Sequence, residues 1–176
     1  MDTVGRMGQE SFDKLKHLDI PTILRICAGT DGSVTYLLEV MTKRTVDVQT
    51  RYQEEINATD ADAELLMIEP GEPVNHREVV LSVGEIPYVL ARSLSPINSM
   101  PLGMRDDLMR ADIPIGRILR KYKLETRRDI LNIDMKDGDG IFKDITVLSR
   151  EYCIIHGGRI LMWINELFPV DARWEL

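Results

Sequence analysis

The chain has 176 residues, of which 44% are hydrophobic and 29% charged, and its net charge is −7 at pH 7. That length suits one domain over residues 1–176 with one core, burying roughly two thirds of the surface that the unfolded form exposes. The acidic balance argues against general binding to nucleic acid or an anionic membrane, so an anionic ligand would need a locally cationic site.

The first 19 residues, MDTVGRMGQESFDKLKHLD, lack the apolar centre of a signal peptide, and no later run is long enough to span a bilayer. A cytoplasmic protein is expected. Cys27 and Cys153 lie among apolar neighbours and suit buried thiols, while His17, His76 and His156 are scattered, so neither disulfides nor a zinc site is expected.

In chain order, the first 45 residues suggest short helices. Asp19-Ile20-Pro21 can start one that carries Leu24, Ile26 and Cys27 and stops at Gly29; Ser33 can cap another with Val34, Leu37, Leu38 and Met41 at helical spacing. From Thr45 to Ile56 the pattern alternates, with Val46, Val48, Thr50 and Tyr52 on one side of a strand. Residues 58–75 are acidic, contain Pro70-Gly71, and are expected to form a surface connection with a short apolar piece at Leu65–Ile68.

Residues 76–96, HREVVLSVGEIPYVLARSLSP, predict a hairpin about Gly84-Glu85. Arg77 shares parity with Val79 and Leu81, and Arg92 with Tyr88 and Leu90. Such mixed faces fit either an apolar pocket for an anion or arginines whose stems cover apolar surface. After an irregular connection, short helices are expected at Met104–Arg110 and from Ile113 through Leu119. Strands follow at Lys123–Asp134, with Leu131 and Ile133 alternating with charge, and at Ile145–Ile155. A last hairpin turns at His156-Gly157-Gly158-Arg159 and returns through Ile160, Met162, Ile164 and Glu166. Helices first, then strands joined by tight turns without long crossover helices, imply an α+β fold with an antiparallel sheet.

Two tempting motifs fail. Asp134–Asp144 imitates a calcium loop, but Ile141 occupies the third ligand position after Asp137 and Asp139 and the closing Glu is absent, which leaves a solvated turn. The basic run Arg117–Arg128 has only Tyr122 as an aromatic partner and suits a charged solvent face better than a nucleic-acid surface. Glu166, on an apolar strand face, must be either partnered by an arginine or held for a ligand, because an inward carboxylate is costly to bury alone.

Four separated segments, LLEVMTKR (37–44), REVVL through IPYVLARSLSP (77–96), IPIGR (113–117) and INELFP (164–169), together resemble the chorismate pyruvate-lyase family, and most closely its prokaryotic chorismate lyase-like members. The resemblance implies an antiparallel sheet with helices packed on one side, an enclosed site, and cleavage of chorismate to 4-hydroxybenzoate and pyruvate without a cofactor. It further implies that Arg77 and the backbone N–H of Ile115 hold the ring carboxylate and that Glu166 meets the ring hydroxyl. Met41 would close over the ligand, and Arg92 would serve the enolpyruvyl carboxylate. The same fold serves effector-binding domains of transcription regulators, so a non-catalytic binding protein for an aromatic carboxylate is the alternative. The 45 or so residues before the first strand are too few and too poor in basic residues for a winged helix-turn-helix.

Overall fold

A computed structural model describes residues 3–101, 103–109 and 113–175. Alternating stretches closed by glycine- or proline-bearing turns form six strands: β1 (Asp47–Asn57), β2 (Pro73–Val83), β3 (Ile86–Pro96), β4 (Arg127–Asp137), β5 (Thr146–His156) and β6 (Arg159–Pro169). They make one antiparallel sheet in the order β1-β2-β3-β6-β5-β4, so two three-stranded meanders join where β3 meets β6. The β5–β6 turn is the expected Gly157-Gly158. Both residues have positive φ (57° and 78°), which a two-residue turn matched to strand twist demands and which side chains resist.

The helices are α1 (Thr3–His17), α2 (Thr22–Gly29), α3 (Val34–Thr42), α4 (Asp60–Leu66), α5 (Met104–Met109) and α6 (Ile115–Lys121). Ser33 caps α3 as expected, accepting from the Tyr36 amide at 3.3 Å. Pro21, rather than Asp19, occupies the position before α2. Helix α5 ends its described part at Met109; Arg110, expected as its last residue, lies outside the described residues. Helix α1 lies along β4 and buries Leu15.

The acidic connection is more ordered than its composition suggests. Thr59 and Asp62 form a reciprocal capping box that starts α4, and Leu66 packs with Val74 and Leu94 at one end of the sheet. The main core fills the space between the other helices and the opposite sheet face, with Leu24, Leu38, Met104, Ile118, Ile133, Leu148, Ile154 and Phe168 almost wholly buried.

Four strand pairings slip by one residue. At such a bulge two residues of one strand oppose one of the other, so the side-chain alternation changes face. Tyr88 is the extra residue of β3, between Pro87 opposite Ser82 and Val89 opposite Leu81. Tyr88 therefore joins the main core while Leu90 joins a small cluster with Val80, Phe142, Val147 and Leu167 on the other face. In β1 the slip separates Thr50 from Tyr52, and in β4 it buries Ile130 in place of the expected Leu131. The loop after β4 is not merely a solvated turn, because Phe142 within it is 1% exposed.

Trp174 closes one end of the core. It is 1% exposed, its indole N–H donates to the Pro169 carbonyl at 2.7 Å, and its ring meets Tyr88 edge-on. Trp174→Ala should lower the free energy of unfolding by about 3–5 kcal/mol, read from urea denaturation. A loss under about 1 kcal/mol would show that the site collapses without penalty.

Candidate active site

Strand β2 runs without a bulge from Pro73 to Leu81, so Asn75, Arg77, Val79 and Leu81 all face the helices. The sheet register then carries this face across every strand. One row runs Gln53, Arg77, Ser93, Ile164, Tyr152, Ile130, and the next runs Thr50, Val79, Ala91, Glu166, Arg150, Ile133. Between these rows and the helix layer lies a cavity of about 600 Å³, mouth included, to which all six strands contribute. Its sheet side presents Arg77, Ala91, Ser93, Tyr152 and Glu166 among apolar neighbours, and its roof is made by the starts of α3 (Ser33, Val34, Thr35) and α6 (Ile115, Gly116).

The two helix starts meet closely at Gly116 and Ser33. A Cβ there would stand 3.2 Å from the Ser33 hydroxyl oxygen. The first amides of a helix have no partner within it, so both ends bring donors and partial positive charge to the cavity. Arg77 adds a full charge. It is 1% exposed, and it donates from Nη1 to the Ile113 carbonyl at 3.3 Å and from Nη2 to Thr50 Oγ1 at 3.2 Å, which ties it to the entrance of α6.

Glu166 is 6% exposed and has an arginine directly opposite in the register. Oε2 accepts from Arg150 Nε at 3.0 Å and Nη2 at 2.5 Å, while Oε1 accepts from the Tyr152 hydroxyl at 3.1 Å. Arg150 is wholly buried and turns Nη1 to the carbonyls of Cys27, Ala28 and Thr30 at 3.2, 3.1 and 2.8 Å. Those carbonyls belong to the end of α2 and its exit, where a helix lacks donors and carries partial negative charge. Burial works against the Arg150 charge, yet Glu166 and Tyr152 outweigh it and hold the guanidinium above its ordinary range. Burial, reinforced by Glu166, also pushes the Tyr152 hydroxyl well up, so it stays a donor. The Cys27 thiol beside this group is pushed up by burial to about 11, and the Cys153 thiol likewise, which makes both poor nucleophiles. Among the described residues no group of three or more His, Cys, Asp or Glu side chains could hold a metal ion, and no helix is long and apolar enough to cross a membrane.

The structure thus brings Arg77, Ile115 and Glu166 to one cavity. Met41 packs against the core from α3 and does not line it. Arg92 is a correction. The bulge at Tyr88 turns it to the opposite sheet face, where Nε donates to Glu78 at 2.8 Å and both Nη atoms grip Asp139 at 2.9 and 2.6 Å. These hydrogen bonds hold the Asp139 carboxyl below the usual carboxylate range. Two participants escaped the sequence reading. Arg150 stands two residues from Leu148 and Tyr152, the same arginine-on-an-apolar-face signal that marked Arg77. Arg128 leaves the solvent-face pattern of its basic run and lines the cavity, whereas Arg117 and Lys121 pair on the surface with Glu39 and Asp107.

Removing one member of a buried pair leaves the other charge uncompensated. Arg150→Ala should cost about 3–5 kcal/mol in chemical denaturation. A loss below about 1 kcal/mol would show that Glu166 finds other partners. Folding raises the Tyr152 pKa, so the stability it carries is complete below the ordinary tyrosine range near about pH 10 and is lost as pH climbs through the folded value. Tyr152→Phe should flatten part of the alkaline fall in melting temperature, leaving the cysteine contribution, which sets in at lower pH; parallel curves would refute the assignment.

The sequence profile of the chorismate pyruvate-lyase Rv2949c-like family matches residues 29–176. A protein of Methanocaldococcus jannaschii, named only provisionally as a lyase, is 36% identical over 160 residues, covering 85% of this chain and 79% of its own length. A Mycobacterium leprae protein named chorismate pyruvate-lyase is 26% identical over 167 residues, covering 90% of this chain and 78% of its own. Among solved structures, the effector domain of PhnF from Mycobacterium smegmatis superposes with a TM-score of 0.64 at 14% identity, over 80% of this chain and 90% of that one. A GntR-family transcriptional regulator from Bacillus cereus gives 0.59 at 17%, over 74% and 95%. These two likenesses concern the fold alone. With an antiparallel sheet under helices and a profile match over most of its length, the chain belongs to the chorismate pyruvate-lyase Rv2949c-like family.

Proposed function

We propose that this protein splits chorismate into 4-hydroxybenzoate and pyruvate by orienting the substrate and stabilising charge, with no cofactor taking part. The observation that carries the reading is the pairing of a buried cation and a buried carboxylate on one cavity. Arg77 on β2 and Glu166 on β6 stand two strands apart and two residues apart along the strands, so their backbones are separated by roughly 12 Å. Side chains leaning in from both ends leave room for a flat ring with a carboxylate at one end and a hydroxyl at the other.

In this scheme Arg77 and the Ile115 amide hold the ring carboxylate through charge-assisted hydrogen bonds. Glu166 accepts from the ring hydroxyl. Arg150 takes up Oε2, but Oε1 accepts one bond from Tyr152 and keeps acceptor capacity. The bond between ring carbon 3 and the enolpyruvyl oxygen breaks, and its electron pair leaves with oxygen. Ring carbon 4 loses its hydrogen as a proton, and the electrons of that C–H bond complete the aromatic ring. The proton passes to the methylene carbon of enolpyruvate, which becomes pyruvate. Aromatisation supplies the driving force, so the protein's task is alignment and electrostatic support. Glu166 serves this step as a fixed acceptor, since Arg150 and Tyr152 hold it rigidly.

A second reading has support of its own, because the fold is shared with the effector domain of PhnF; on this reading the cavity of the present protein binds an aromatic carboxylate without reacting. Purified protein given chorismate alone should release 4-hydroxybenzoate and pyruvate in equal amounts, and Arg77→Ala should lower kcat/KM by about 100-fold or more. The product 4-hydroxybenzoate should also raise the melting temperature by mass action. Chorismate bound but uncleaved would replace the lyase by the binding protein. No thermal shift with either compound at saturation would overturn both.

A further inference from the structure

A second hollow adjoins the cavity. The two share Ser33, Gly116 and Arg128, and the hollow extends past Tyr36, Arg120 and Thr126. Among the described residues no Asp or Glu lines it, in a chain whose net charge is −7. Arg128 stands at the seam. Its Nη1 donates to the Asp31 carbonyl at 2.8 Å, which fixes the guanidinium, and its carbon lies 5.9 Å from the centre of the Tyr152 ring. Its Nε is enclosed and meets no hydrogen-bond partner among the described residues. Behind it, the Arg120 guanidinium lies 5.9 Å from the Tyr36 ring centre and donates from Nε to the Gly116 carbonyl at 3.2 Å.

We propose that Arg128 is a substrate-binding residue that takes the second carboxylate of a dianionic substrate at this seam, with Arg120 supporting it from the hollow. The inference rests on the chorismate reading and deepens it. Chorismate carries its enolpyruvyl group on ring carbon 3, next to the hydroxyl-bearing carbon 4, so the second carboxylate leaves the ring at the Glu166 end. From Glu166 on β6 the sheet continues through β5 to β4, on the side away from Arg77. Arg128 on β4 lies in the row of Ile154 and Met162, four residues along β6 from Glu166, and its guanidinium stands by the ring of Tyr152, whose hydroxyl donates to Glu166. The competing cations are engaged elsewhere. Arg92 is on the other sheet face with Glu78 and Asp139, and Arg150 spends its guanidinium on Glu166 and three carbonyls. Among the described residues, the cations that line the cavity are Arg77 and Arg128. Division of labour follows: the monocarboxylate product has nothing for Arg128 to hold.

The test compares a dianion with a monoanion on the same protein. Wild type, Arg128→Gln and Arg128→Lys are assayed for turnover of chorismate and titrated calorimetrically with 4-hydroxybenzoate. Arg128→Gln should raise KM for chorismate by about tenfold or more, while the Kd for 4-hydroxybenzoate moves less than about twofold, and Arg128→Lys should recover part of the loss. If both constants shift together, Arg128 acts only by bracing the Asp31 turn and the α3 start, and the proposal falls. If neither shifts, it falls as well. Should wild type bind chorismate without cleaving it, the lyase reading fails alone, and the same comparison, made on the Kd for chorismate, decides the role of Arg128. Wild type that binds neither compound removes the two together.

Discussion

The group on which the architecture depends is the buried guanidinium of Arg150. It reaches in two directions at once, to Glu166 on the neighbouring strand and to the carbonyls that end α2, and so pins the helix layer to the sheet. A bare charge at zero exposure would be prohibitive; here five hydrogen bonds and the faces of Tyr152 and Phe168 replace its water. The same arrangement solves a second problem, because Glu166 is as costly to bury as the arginine. Each charge is tolerable because of the other, and the carboxylate that remains at the cavity wall is rigid.

Around that anchor, charge is sorted by place. The chain is acidic overall, yet the cavity gathers Arg77, Arg128 and two helix starts. A site of this kind can select an anion that the protein's net field would repel, since low-dielectric walls strengthen short-range attraction relative to distant surface charge. The sheet acts as a ruler for the site: strand spacing sets the distance between Arg77, Glu166 and Arg128, and the side-chain alternation decides which of them face inward.

That alternation also explains how much could be read from the chain directly. The order of strands and turns, the Ser33 cap, the hairpin at Gly84-Glu85 and the inward placement of Arg77 and Glu166 follow from local periodicity and turn chemistry, and β2, unbroken by bulges, keeps its parity. For Arg92 the alternation misleads, because a single extra residue at Tyr88 reverses the face. Helix α4 is hidden in an acidic stretch, where its capping box pairs Thr59 with Asp62 in place of the more familiar glutamate. Arg128 sits in a basic run that suits solvent, yet its parity with Ile130 puts it under the helices while Arg127 stays outside.

By itself, then, the sequence determined what is local: the α+β class, the turns, and arginine and glutamate among apolar residues on particular strands. Tertiary structure decided the pairings. Which arginine partners Glu166, which sheet face receives Arg92, and where two helix starts meet over the cavity depend on strand order and on bulges. Strand order is a matter of contacts between residues far apart in the chain, and a bulge is set by the neighbouring strand as much as by its own residues, so neither is written in the pattern of any one segment.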